Sequence, residues 1–388
     1  MSDTQPSQEH PSSDSLAAQL AALYVLAEQQ LLSGASSILR RTQATLDGQQ
    51  AMVPKLRRLA RQVAARLAYQ SNPLADRMIT AAVTEGANDA EKSVERALGG
   101  RGGDRMPPGT GLALPDEPFD LSMPHGERAA QAIRDDITSE LEDVRFRITR
   151  LPDDIYKWIA PHGAIRQVLA NDVTPAQAQA MAWRVFTSQG ITGFTDRSGR
   201  DWALSSYVEM AVRTASTRAY NDSHLQRMHA LNVDYFSVPD DGHPCPLCFP
   251  WQGKVLTDGV VADPEMPVDG TIAEATAAGL FHPQCRHVLI PVFPGVTVLP
   301  EPREWTPELQ AGYALTQRQR HLELQVRKAK RALEYAIDPD SQRKAQADVR
   351  LAQAKVREFV AANGLLRQSR REQLNMTDHS IKLPTPIR

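Results

Sequence analysis

All three cysteines of this 388-residue chain lie between Cys245 and Cys285. They fall in the longest stretch where helical periodicity lapses. On both sides the apolar residues recur every three or four positions, as buried helix faces do. The island between them must be held by something other than an amphipathic stripe. Cys245-Pro246-Leu247-Cys248 gives a pair of thiols two residues apart in a turn-forming context, and His282-Pro283-Gln284-Cys285-Arg286-His287 gives an imidazole and a thiol at the same spacing, with a second imidazole beyond. Structural zinc takes four nitrogen or sulfur donors in a tetrahedron, and paired donors at this spacing suit it. The expected ligands are Cys245, Cys248, His282 and Cys285. His287 is the alternate for the fourth place, and His243 stands nearby in reserve. Three thiolates and one imidazole would close the site, leaving no open position for catalysis.

Other uses of the cysteines fit less well. A thioredoxin-type pair opens a helix after a strand, whereas here a strand-like Gly253-Lys254-Val255-Leu256 follows. Zinc deaminases combine H-x-E with a later P-C-x-x-C. Pro244 to Cys248 matches the second half, but His125-Gly126-Glu127 sits far upstream in a Gly/Pro-rich stretch and His321-Leu322-Glu323 lies downstream. Three reduced cysteines without metal are the plain alternative. No Walker loop, G-x-S-x-G, H-E-x-x-H or dinucleotide fingerprint is present, and no small-molecule substrate is expected.

The rest of the chain predicts a mainly α protein with a small β/loop zinc-knuckle module. Residues 1–13 read as a disordered tail and 14–98 as an N-terminal helical region. Gly34 is expected to bend or end the first helix, and Asn72-Pro73 to break the second. Residues 99–126 hold seven glycines and five prolines and read as a linker. A central helical domain is expected over 127–232. Ile133, Ile137, Leu141, Val144 and Ile148 form its first stripe, ended by Leu151-Pro152. Thr174-Pro175 opens the next helix, residues 193–200 are turn-like, and Leu204, Val208, Ala211, Ala215 and Ala219 share a face of a third. Residues 233–299 form the β/loop module. Inside it Thr271 to Glu274 matches a capping box, with Gly279 as the stop. Residues 300–375 read as an antiparallel helical hairpin broken at Asp338-Pro339-Asp340, and 376–388 as a flexible tail.

Charge narrows the function classes. Lys plus Arg is 44 and Asp plus Glu is 46, a net of −2, so bulk charge does not drive nucleic-acid binding. Residues 301–388 carry 17 basic and 11 acidic side chains, a local excess of +6. There Arg327-Lys328-Ala329-Lys330-Arg331 is a candidate phosphate contact or a solvated helix face. Arg213 and Arg218 are candidates for an anion or for pairing with Glu209 or Asp222. The polar N-terminus is not a secretory signal and no stretch suits a membrane span. A reducing cytoplasm is the expected compartment of synthesis.

The stretch Thr192 to Trp202, then Ser206 to Met210 and Arg213-Thr214, resembles the tailed-phage minor capsid protein 2 family. So do His243 to Val255, Leu280 to His287, the basic hairpin and Asn363 to Arg367. The C-x-x-C followed by H-P-x-C-R-H is also similar to the MuF-like head-morphogenesis group. The resemblance covers most of 127–375. It implies a non-enzymatic minor virion component in the phage head, associated with the portal or inner capsid, acting in head assembly and genome packaging or delivery. Portal protein, major capsid protein and packaged DNA are the implied partners. A zinc-stabilised nucleic-acid-binding regulator is the alternative that the residues alone allow.

Overall fold

The structure, a computed structural model, describes residues 12–99, 124–159, 174–192, 194–195, 201–240, 242, 245–261, 264–283 and 285–374. The two terminal tails and nearly all of the 99–126 linker lie outside them. The fold is mainly helical: α1 Ser13–Arg40, α2 Leu46–Gly99, α3 Pro124–Ile159, α4 Pro175–Gln189, α5 Leu204–Ala230, the short α6 Ile272–Ala277, α7 Pro307–Glu334 and α8 Pro339–Ala362. Two short strands, β1 Phe194–Thr195 and β2 Asp201–Trp202, form an antiparallel ribbon where a turn is expected. Four more, β3 Tyr235–Ser237, β4 Val255–Thr257, β5 Gly270–Thr271 and β6 Ile290–Val292, form a sheet in the order β5-β4-β3-β6. No described helix is long and apolar enough to cross a membrane.

The chain packs as two compact units, each discontinuous in sequence. One draws on Met1–Ala17, Leu74–Ile137 and Met210–Tyr313; the other on Ala18–Pro73, Thr138–Glu209 and Ala314–Arg388.

Among its described residues, the regular structure of the second unit is helical apart from the β1–β2 ribbon. Along α1 most positions are buried, Leu20, Tyr24, Leu31, Leu32 and Leu39 among them, as expected of a helix that is apolar nearly all round. Gly34 does not end it. The space a Cβ would fill there is taken by the Leu59 side chain of α2, so glycine serves close packing. α3 keeps its stripe of Ile137, Leu141, Val144 and Ile148 and runs through Pro152, contrary to expectation, because Ile155 and Ile159 stay buried beyond it. Their burial offsets the roughly 3 kcal/mol that an interior proline costs. α2 likewise runs unbroken through Pro73, with Leu67 buried before it and Leu74, Ala75, Met78 and Ile79 after. Thr174 caps α4 in a full capping box with Gln177. Trp183 of α4 is fully buried, stacks on Phe186, and donates from Nε1 to Tyr335 O at 2.9 Å and Ser36 Oγ at 3.1 Å. α7 and α8 form the expected hairpin. Asp338 caps α8, and Leu322, Val326, Val356 and Val360 make the core between the two helices.

The first unit sets the small sheet on the C-terminal part of α2 and most of α5. Ala90, Val94, Met228 and Leu231 from the helices join Val233, Phe236, Val238, Leu256, Ile272, Leu280, Leu289 and Phe293 in one buried cluster. Cys248 and Cys285 belong to the same cluster.

Candidate metal centre

The two motif loops are brought together by turn chemistry. Cys245 O accepts from Cys248 N at 3.2 Å and Phe249 N at 2.9 Å, closing a tight turn that aims both thiols inward. A 3-10 turn at Phe249–Trp251 follows and leads into β4. β4 pairs antiparallel with β3, so no βαβ unit follows the pair and the thioredoxin arrangement is absent. On the other loop Thr271 and Glu274 build the expected capping box on α6. The chain leaves that helix through Gly279 at φ +111°, a conformation open to glycine. Leu247 of the cysteine turn packs where a Cβ of Gly279 would stand. Phe281 follows at φ +58°, unusual for an aromatic residue, and reverses the chain so that His282 points back at Cys245. Cys285 N then donates to His282 O at 2.8 Å, a second tight turn.

The resulting distances suit a metal. Cys245 Sγ lies 3.2 Å from His282 Nε2, Cys248 Sγ 3.6 Å from Cys285 Sγ, and Cys285 Sγ 3.3 Å from His287 Nδ1. Donors at zinc bond lengths on a tetrahedron stand about 3.5–3.8 Å apart. Cys245, Cys248 and His282 form one group of donor atoms within 4.8 Å of one another, and Cys248, Cys285 and His287 form another. Cys248 is common to both. The two triads hold all five candidate ligands; His243 lies outside the described residues. Cys248, Cys285 and His287 are buried, while Cys245 and His282 keep an edge toward solvent.

Crowded thiols polarise one another. Cys248 is pushed well above the usual thiol range by its hydrogen bond to Cys285, by burial, and by the charge of its sulfur neighbours. Cys285 is drawn below that range, first by the hydrogen bond from Cys248 and then, against burial, by His287. An array of this kind supplies thiolate readily at one sulfur and resists it at the next. A divalent cation removes that conflict. The donor set therefore fits a soft-to-borderline metal.

Residues 11–361 match the family of phage minor capsid protein 2. The chain belongs to that family. A protein named "Structural protein" from Lactococcus phage LL-H is 31% identical over 189 residues, covering 47% of this chain and 51% of the relative. The chain thus spans about half of that relative's length. No solved structure matches it. Membership and this relative assign the chain a structural role in a phage.

Sequence reasoning missed the residues that seat the metal loop in this minor capsid family protein. Asn221 Nδ2 donates to His287 O at 3.2 Å, and His224 Nε2 lies 3.0 Å from Leu289 O. Both are on α5, and they take alternate carbonyls of the strand that leads into β6. His224 Nδ1 reaches Gly86 O of α2, also at 3.0 Å. Burial holds His224 below the ordinary imidazole value, against the pull of these two carbonyls and of Asp89. No spacing signal points to Asn221 or His224, since their partners lie more than 60 residues away.

The basic run of the hairpin is partly committed within its own unit. Arg327 donates to Arg371 O at 2.5 Å, Lys330 to Gln373 Oε1 at 2.8 Å, and the Arg331 guanidinium lies against Gly190 beside Glu28. Glu323, part of one H-x-E string, is buried and accepts from Gln319 Nε2 at 3.0 Å. The His321–Glu323 string joins no metal group among the described residues, and the side chains of His125 and Glu127 lie outside them.

Proposed function

We infer that this protein is a minor component of the phage head, placed near the portal or on the inner capsid, and that it acts in head assembly and in genome packaging or delivery. Its working parts are surfaces and not a reaction centre. The observation that carries this reading is the convergence of three thiols and two imidazoles on a sheet whose strands are two or three residues long. Such a sheet has too little pairing to fix its own register, and a closed metal site would fix it. Cys245, Cys248, His282 and Cys285 hold a structural zinc, and the ion supplies a cross-link between two loops 33 residues apart.

A zinc-stabilised nucleic-acid regulator draws on the +6 charge of residues 301–388. The commitment of Arg327 and Lys330 to Arg371 and Gln373 weakens it. Portal and major capsid proteins are the proposed partners. Quantitative peptide mass spectrometry on gradient-purified particles tests the reading. Low-copy presence in mature particles is expected. Absence from particles, with abundance in the soluble lysate, would refute a virion role.

A further inference from the structure

Which imidazole completes the metal site depends on where each ring carries its proton. His282 Nδ1 lies 2.9 Å from Pro283 O. A carbonyl only accepts, so Nδ1 carries the hydrogen and Nε2 offers its lone pair to the cavity, facing Cys245 Sγ. His287 is arranged the opposite way. Its Nε2 lies 3.0 Å from Gln252 Nε2. In the orientation the structure gives it, the Gln252 amide turns its nitrogen to the ring and donates, so His287 Nε2 accepts, and a neutral ring then carries its hydrogen on Nδ1. That Nδ1 faces Cys285 Sγ at 3.3 Å. A protonated ring nitrogen donates to a thiolate and cannot bind a metal.

We propose that Gln252 is the positioning residue that makes His282 the fourth ligand, by holding His287 in the tautomer that donates to Cys285. This rests on the metal reading above. Gln252 is built for the role. It is buried, its backbone bridges Val238 beside β3, its N–H is held by Phe249 O at 3.2 Å, and the next residue donates to Val238 O at 2.9 Å. His287 is equally fixed. Its carbonyl is taken by Asn221, and its own backbone N–H also points at Cys285 Sγ, at 3.5 Å. Cys285 thus receives two N–H groups from His287. Groups behind a ligand commonly orient it and tune its basicity in this way.

The test uses the full chain loaded with Co2+ in place of zinc, read by thiolate charge-transfer and d–d absorption. Five proteins are compared: wild type, His282→Ala, His287→Ala, Gln252→Glu and the double variant of His282→Ala with Gln252→Glu. In wild type, His282→Ala is expected to lower cobalt affinity by more than the roughly 10–100-fold typical of a group behind a ligand, and to change the d–d envelope. His287→Ala should stay within that range. A carboxylate at 252 accepts from His287 Nε2–H and turns the Nδ1 lone pair toward the metal. In the Gln252→Glu background, His282→Ala should therefore cost little, because His287 replaces it. An unchanged His282→Ala penalty in that background overturns the proposal, as does His287→Ala costing more than His282→Ala in wild type. Wild type that takes up no cobalt overturns the metal reading itself and is seen before any variant is made. Long-range 1H–15N NMR on histidine-labelled wild type gives a readout that needs no variant. His287 should appear as the Nδ1–H tautomer, and the Nε2–H tautomer refutes the assignment.

Discussion

Gly86→Ala is expected to destabilise the protein, although alanine is the better helix former. Gly86 lies in α2 where that helix meets α5. A Cβ there would fall inside van der Waals contact with Tyr220 O, 3.0 Å from Tyr220 C and 3.2 Å from His224 N. All three are backbone atoms, so no side chain can swing aside. Relief requires α2 and α5 to part. That separation strains the bonds flanking the contact: Ser223 Oγ to Val83 O at 2.7 Å, His224 Nδ1 to Gly86 O at 3.0 Å, and Tyr220 OH to Asp89 Oδ2 at 2.9 Å. Alanine gains about 1 kcal/mol of helix propensity. Overpacking costs about 1–3 kcal/mol, and each buried bond weakened adds about 0.5–1.5 kcal/mol. If all three bonds weaken, the net is a loss of about 1.5–6.5 kcal/mol. Gly312→Ala is the control. It is also helical, in α7, and a Cβ there meets nothing within 4 Å. It should gain about 1 kcal/mol by propensity alone. Urea unfolding of both variants, with hydrogen exchange followed over residues 83–91, separates the terms. Gly86→Ala matching or exceeding Gly312→Ala in stability would show that the helices yield freely and that the close approach holds nothing.

Three further outcomes are expected. Chelation should open residues 245–285 to limited proteolysis while the α7–α8 hairpin keeps its protection, and an unchanged digest would deny the metal a structural role. Because His224 is held below its ordinary value, the unfolded chain takes up the proton first as pH falls below about 6.5. The stability His224 contributes is thus present above that pH and lost as pH falls toward the folded value. The urea midpoint of wild type should drop more between about pH 7.5 and 5.5 than that of His224→Gln, and equal drops would refute the argument. Arg145 is buried and donates to Ser71 Oγ and Asn72 Oδ1, each at 3.1 Å. Arg145→Leu should cost about 2–4 kcal/mol by leaving those acceptors unmet, and a thermal melt within a degree of wild type would contradict it.

Much of the fold was legible because local signals agreed with it. The stripes through Ile137 and Ile148, through Leu322 and Val326, and through Val356 are buried faces, Thr174 caps its helix, and the capping box at Thr271 forms. The expected helix ends that failed share one cause. Gly34, Pro73 and Pro152 carry local penalties of about 1–3 kcal/mol, and each sits in a helix whose packing outweighs them. Sequence reveals the penalty but not the neighbours that offset it. At the metal centre the reverse holds. Cysteine and histidine spacing points to the candidate donors, because only a few residue types bind metal, and the structure gathers them in two groups that share Cys248. Choosing between His282 and His287 needs Gln252 and Pro283 O, and an amide or a carbonyl has no sequence signature.

The same physics explains why the island is braced from outside as well as from within. β6 lies at the edge of the sheet, and the strand leading into it would present unpaired carbonyls at His287 and Leu289. Asn221 and His224 take both, and Pro291 removes a donor from β6 itself. The edge is therefore fixed to α5, and the His224 ring, which carries a single N–H when neutral, sits between Leu289 O and Gly86 O of α2, each 3.0 Å away. Under the metal reading this loop has two anchors. The ion would set the distance between its cysteine turns, and α5 sets its position on the helices. Loss of the ion should free the turns but leave the His287–Leu289 segment on α5. A capsid component assembled in a metal-poor host would then keep its helical body and lose only the shape of this one module.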